Sequence, residues 1–214
     1  MEIMDPLEKV TAFVTRQTSI GIDLLLFRHP TAGIQIPAGT VEAHETPSDA
    51  VLREIHEETG LKEVALKTHI GVMERELPPQ QFVILHPTTV YSRPDETSFD
   101  WASFRRGISV KKHREMASFS HVTYEEGDRF PNPSYISYQI TGWVPSACLT
   151  NTVRRHFYHV IALDKTPDER QQYADKHVFT LFWAPLSALP EIVAPQHEWV
   201  EFVTQELSYS FEEM

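Results

Sequence analysis

Residues Gly39–Leu61 read GTVEAHETPSDAVLREIHEETGL, and the fold is decided there. Thr46 is placed to N-cap a helix, Pro47 suits its first position, and Asp49 completes a T-x-x-D capping box. Gly60 stands where a left-handed residue ends a helix. Between these signals Ala50, Val51, Leu52 and Ile55 supply an apolar side. Glu54, Glu57 and Glu58, spaced three and four apart, crowd one face. Like charges at that spacing cost about 0.2–0.5 kcal/mol per pair, and the C-terminal end of a helix dipole disfavours anions. A helix shaped for stability alone would not carry them. A solvated acidic face is the common explanation of an E-x-x-E-E run. Here the fixed positions of Gly39, Glu45 and Arg53 favour a metal site instead, because magnesium takes carboxylate oxygens while keeping places for phosphate oxygens and water.

Gly39, Glu45, Arg53-Glu54-Ile55, Glu57-Glu58 and Gly60-Leu61 match G-x5-E-x7-R-E-U-x-E-E-x-G-U at every defined position, U being aliphatic. The chain thereby resembles the Nudix hydrolases. The resemblance implies an α/β fold, a Nudix-type α/β/α sandwich with a mixed central sheet. It also implies metal-dependent cleavage of a nucleoside diphosphate linked to another moiety, with Mg2+, or Mn2+ in its place. By the same likeness Glu54, Glu57 and Glu58 hold metal and serve catalysis, while Arg53 orients them by ion pairing. Arg53 stands about 100° around the helix from Glu54, away from the carboxylate face. Gly39, Glu45 and Gly60 are the structural positions of the motif. Glu45 is expected to stabilise the helix N-terminus by its charge, with water-mediated metal binding as the other role. Many relatives carry Gly-Gly where this chain has Ala38-Gly39.

In several relatives an acid outside the motif, in the loop joining the last two main strands, assists the attacking water. That loop is expected at Asp164–His177, DKTPDERQQYADKH, where Glu169 is the first choice and Asp168 the second. Two solvated loop acids would be an equally ordinary explanation of both.

Substrate features are sparse. Pro78 and Pro79 stand slightly further beyond the motif than the proline of ADP-ribose-cleaving relatives, which gives ADP-ribose or nucleotide-sugar type substrates a slight preference. The tyrosine of dinucleoside-polyphosphate hydrolases is missing, Tyr91 being the first downstream. A sanitising hydrolase of modified nucleoside triphosphates is one alternative. A non-catalytic Nudix-fold nucleotide-binding regulatory module is another, and the intact signature weighs against it.

Composition sets the outer limits. With 19 basic and 30 acidic residues the net charge is −11, which disfavours broad attraction to long nucleic acid or anionic lipid. A small-molecule nucleotide substrate would be drawn in locally. Cys148 is the single cysteine, so no intramolecular disulfide forms. No apolar run is long enough to span a membrane. The start, MEIMDPLEKV, lacks the basic and apolar parts of a signal peptide, and a cytoplasmic protein is expected.

Along the chain, residues 1–7 read as a loose lead-in and 8–214 as a single Nudix domain. Strands are expected at Val10–Thr15, Asp23–Phe27, Ile34–Ile36, Gln81–Leu85, His156–Leu163 and Val178–Trp183, with a long half-buried one at 64–72. Val200, Phe202, Trp199, Val203 and Leu207 have the spacing of a closing amphipathic helix. Between about 87 and 152 lies more chain than a minimal domain of this kind needs. It reads as a folded insertion, a β-rich lid or an arm for a homodimer. His156 and His159 look like a ligand pair, yet a separation of three on a strand turns them to opposite faces. The basic clusters Arg105-Arg106, Lys111–Arg114 and Arg154-Arg155 read as solvated runs or as entry points for phosphates. Trp101, Phe104 and Phe157 read as core residues or base-stacking platforms.

Overall fold

The structure is a computed structural model and describes residues 5–129, 132–174 and 177–203. The chain forms two compact units, residues 9–72 with 155–214 and residues 1–8 with 73–154.

The first unit is built on an eight-stranded sheet. Its strands are β1 (Leu7–Thr18), β2 (Gly21–His29), β3 (Gly33–Gln35), β4 (Ala38–Thr40), β5 (Val64–Glu76), β13 (Thr152–Ala162), β14 (Glu169–Ala174) and β15 (His177–Pro185). The order is β14-β15-β2-β1-β13-β5, with β3 paired to β2 and β4 to β1. Side chains alternate across a strand. On one face Val10, Ala12 and Val14 of β1, Leu25 and Phe27 of β2, Tyr158 and Val160 of β13, and Phe179 and Leu181 of β15 form one buried cluster. Helix α1 (Pro47–Thr59) adds Ala50, Val51 and Ile55 to it. On the opposite face Phe157, next to Tyr158 on β13, meets the rings of Trp199 and Phe202 at 6.1 and 5.2 Å. Those two rings belong to helical residues 196–203. Helix, sheet and helix thus make the three layers expected, within an α/β fold. Leu207 of the expected closing helix lies outside the described residues, as do residues 1–4 of the expected lead-in; β1 begins at the buried Leu7.

The second unit is an antiparallel sheet of seven strands: β6 (Gln81–Ile84), β7 (Thr88–Tyr91), β8 (Asp100–Phe104), β9 (Ser109–Met116), β10 (Phe119–Gly127), β11 (Ile136–Pro145) and β12 (Leu149–Thr150). Their order is β12-β6-β9-β10-β11-β7-β8. Ile84, Val90, Phe104, Val110, Val122, Ile140, Val144 and Leu149 make its core. The unit takes in residues 73–86 as well as the expected insertion.

Three readings of the sequence need correction. Segment 164–177 is not a loop throughout, because residues 169–174 form β14 and pair antiparallel with β15 from Glu169↔Phe182 to Ala174↔His177. Strand β5 lies at the sheet edge, where Leu66, Thr68 and Val72 of its expected buried face are exposed and none of its residues is fully buried. Phe104 and Phe157 are fully buried, so neither is a surface on which a base could stack.

Candidate active site

The capped helix places every residue of the motif. Thr46, extended at φ −82° and ψ 155°, accepts a hydrogen bond from the Asp49 N–H at 3.2 Å and donates its own hydroxyl to the Asp49 carboxylate. At the other end Gly60 is left-handed, with φ 67°, and its N–H donates to the His56 carbonyl at 2.9 Å. A side chain other than glycine would be strained at that φ.

Arg53 is the hub. Its Nε donates to Glu45 Oε1 at 2.8 Å and its Nη2 to Glu45 Oε2 at 3.0 Å. Nη2 also donates to the Thr40 carbonyl at 3.0 Å, and Nη1 to Glu54 Oε1 at 2.9 Å and Glu57 Oε2 at 3.2 Å. A guanidinium has five N–H donors in a rigid fork, and these five bonds match that number. The helical angle between Arg53 and Glu54 is therefore a poor guide to contact. The long side chain turns back across the carboxylate face, correcting the expectation that it points away.

Electrostatics follow from those contacts. The hydrogen bonds from Arg53 hold the Glu45 carboxyl below the usual carboxylate range, against the opposing effect of burial. The same pairing, first with Glu45 and then with Glu54, raises the Arg53 pKa and keeps the guanidinium charged. Glu45 is therefore the anchor of Arg53, a role hidden in the sequence although the G-x5-E-x7-R spacing carries it.

Gly39 has a different reason to be glycine from Gly60. It lies on β4, where it pairs with Val10 of β1. A Cβ there would fall 1.8 Å from Glu54 Oε1 and 1.9 Å from its carboxyl carbon. The backbone comes this close to Glu54 only because position 39 has no side chain. One residue earlier, the Ala38 N–H donates to Glu58 Oε2 at 3.0 Å. Strand β4 thus meets two of the three motif glutamates, and its Thr40 carbonyl meets Arg53. Ala38 and Thr40 are site residues that sequence reasoning missed. They act through backbone atoms, which leave no mark in side-chain identity.

The three glutamates differ in access. The Glu54 side chain is 14 % exposed and that of Glu57 56 %, while Glu58 is buried. Among the described residues no three His, Cys, Asp or Glu side chains are gathered at metal-ligand spacing, because the glutamates are drawn to Arg53 and Ala38. The donor set is nevertheless of the right kind. All three offer hard carboxylate oxygens, and magnesium commonly takes only one or two carboxylates, the rest of its shell being water and substrate phosphate.

Asp168 and Glu169 are not brought to this group. Asp168 accepts from Arg16, whose guanidinium also pairs with Asp23 at 3.0 Å and stacks 4.6 Å from the Trp183 ring centre. Ala174 of β14 packs into the α1 cluster, and a Cβ on Gly60 would meet Gln172 Oε1 at 2.7 Å. By alternation Gln172 and Ala174 face α1, whereas Glu169 belongs to the other face. Of the basic clusters, Arg154 pairs with Glu8 at 3.0 Å and Glu74 at 2.7 Å. Arg155 donates to the Val10 carbonyl and Thr11 hydroxyl and lies 4.0 Å over the Trp199 ring. Both arginines hold the fold together.

Comparison with known proteins agrees with the motif. The family profile described as NUDIX domain matches residues 6–99, less than half of the chain. No curated protein matches. A solved structure titled "Crystal Structure of C. elegans Ap4A Hydrolase" aligns over 97 % of this chain and 99 % of its own, at 12 % identity and a TM-score of 0.43. Among the described residues no helix is long and apolar enough to cross a membrane. The complete signature on α1 and the family profile coincide over residues 6–99, and that part of the chain carries a NUDIX domain.

Proposed function

We propose that this chain is a metal-dependent Nudix pyrophosphohydrolase that cleaves a nucleoside diphosphate joined to another moiety, of ADP-ribose or nucleotide-sugar type. The observation that carries the reading is the Arg53 fork, which ties Glu45, Glu54 and Glu57 into one ion-paired group beside the glycine that makes room for Glu54. Glu54, Glu57 and Glu58 are the residues that would hold Mg2+, or Mn2+ in its place. When bound, the cation supplies charge neutralisation at the phosphates and a lower pKa for the attacking water.

The chain's own residues supply position and proton transfer. Arg53, anchored on Glu45, orients the carboxylates of Glu54 and Glu57. The exposed Glu57 lies where solvent and phosphate have access. Glu54, the more enclosed of the two, is assigned the water's proton. Glu169, the first choice from the sequence, lies by alternation on the face of β14 away from α1, which supports giving this role to the helix. The net charge of −11 suits a small nucleotide rather than long nucleic acid.

The test is a panel of nucleoside diphosphate derivatives and nucleoside triphosphates with added Mg2+, read by product identification. The expected products are a nucleoside monophosphate and the phosphorylated second moiety. Cleavage confined to triphosphates would replace this reading with the sanitising one.

A further inference from the structure

His156 has a partner the sequence does not suggest. Its Nδ1 stands 3.4 Å from Nε2 of His69, which lies on β5. His159, the neighbour that looked like its mate, is buried and hydrogen-bonded to Thr15 at 2.8 Å. The His69 and His156 ring centres are 5.4 Å apart, with the planes tilted by 34°. Tyr158 backs the His69 ring at 4.8 Å.

We propose that His69 and His156 form a two-histidine site for a borderline transition-metal ion, Zn2+ above all. Two imidazole nitrogens bound to one tetrahedral zinc at about 2.0–2.1 Å stand about 3.3–3.4 Å apart, and their ring centres stand about 5.2 Å apart. The observed 3.4 and 5.4 Å fit that pair of distances. The same 3.4 Å is long for a hydrogen bond between two ring nitrogens.

His69 is exposed and His156 half-buried, so an ion can enter from solvent. No third His, Cys, Asp or Glu completes a group there among the described residues. The ion would keep open positions for water or an external ligand such as phosphate. Nitrogen donors separate this site chemically from the carboxylates of α1: imidazole suits zinc, copper and nickel, and carboxylate suits magnesium. The inference does not depend on the hydrolytic reading.

Calorimetric titration of Zn2+ into the full chain, with Mg2+ in excess to occupy oxygen sites, tests it. One equivalent is expected in the wild type. His69→Gln and His156→Gln should each weaken it by about tenfold or more, ligand loss costing at least as much as loss of a supporting contact. His121→Gln, on the other unit, should leave it unchanged. Ring-nitrogen NMR of the unmodified protein gives a second reading that does not rely on the variants folding. Zinc should shift Nε2 of His69 and Nδ1 of His156 together. Wild-type zinc affinity in both single variants, or no zinc shift at these two nitrogens, would overturn the proposal.

Discussion

Arg53 grips Glu45 with two parallel bonds, Nε to Oε1 at 2.8 Å and Nη2 to Oε2 at 3.0 Å, while its remaining terminal nitrogen reaches Glu54 and Glu57. The side chains of both partners are largely buried, at 24 and 15 % exposure. Bidentate pairs of this kind fix geometry as well as contribute energy. The glutamates of α1 are thus positioned from the loop before the helix.

Loss of that anchor has two expected consequences. Glu45→Gln leaves Arg53 with a neutral partner, and kcat/KM should fall by about 10–100-fold, as when a supporting contact of a metal site is removed. The second concerns pH. The Glu45 pKa is lowered in the folded protein, so its ionised form contributes stability above the unfolded carboxylate pKa. That contribution is lost as pH falls through the lower, folded value. Melting curves of wild type and Glu45→Gln should therefore be separated at neutral pH and converge in acid. A constant separation down to acid pH would rule out Glu45 ionisation as the source.

Gly39→Ala should separate activity from stability. Its new Cβ would land 1.8 Å from Glu54 Oε1, and the carboxylate is the movable end of a side chain. The fold can yield there cheaply, whereas Glu54 is displaced from Arg53. Expected is a fall in kcat of about 10-fold or more, comparable to losing a supporting contact, with the melting temperature nearly unchanged. Full activity in the variant would show that Glu54 does not need this position.

The proton acceptor can be located by two amide substitutions. A general base contributes about 10²–10⁴-fold. Glu54→Gln should lose that much kcat, and Glu169→Gln should stay near wild type because Glu169 lies on the face of β14 away from α1. The reverse pattern would return the role to Glu169.

The sequence made the helix and the sandwich legible because both depend on local signals. Thr46, Pro47, Asp49 and Gly60 each encode a cap that forms as expected. The continuous apolar run Leu24–Phe27 marks a central strand with no solvent face, and it is one. Strands β7 to β10 were not foreseen. β9 carries Lys111, Lys112, His113 and Arg114 on a sheet with one polar face, so its hydrophobic alternation is faint. Strand β14, ERQQYA, is an edge strand with a similarly weak pattern. At the site, residue types and spacing were readable. The backbone contacts of Ala38 and Thr40, and the cross-strand approach of His69 to His156, depend on tertiary placement that no local pattern encodes.

The most direct test of metal-dependent hydrolysis at α1 is turnover of ADP-ribose and nucleotide sugars after metal stripping, before and after Mg2+ is restored, in wild type and Glu57→Gln. Glu57 is exposed, and its replacement by glutamine relieves repulsion from Glu54 while giving up only an exposed pairing with Arg53, so the variant should melt close to wild type in metal-free buffer. The expected result is no product in excess EDTA, full recovery with Mg2+ in the wild type, and a loss of at least about 100-fold in the variant, the scale on which catalytic groups act. Turnover that persists in EDTA, or a Glu57→Gln variant as active as wild type, would contradict catalysis at this helix.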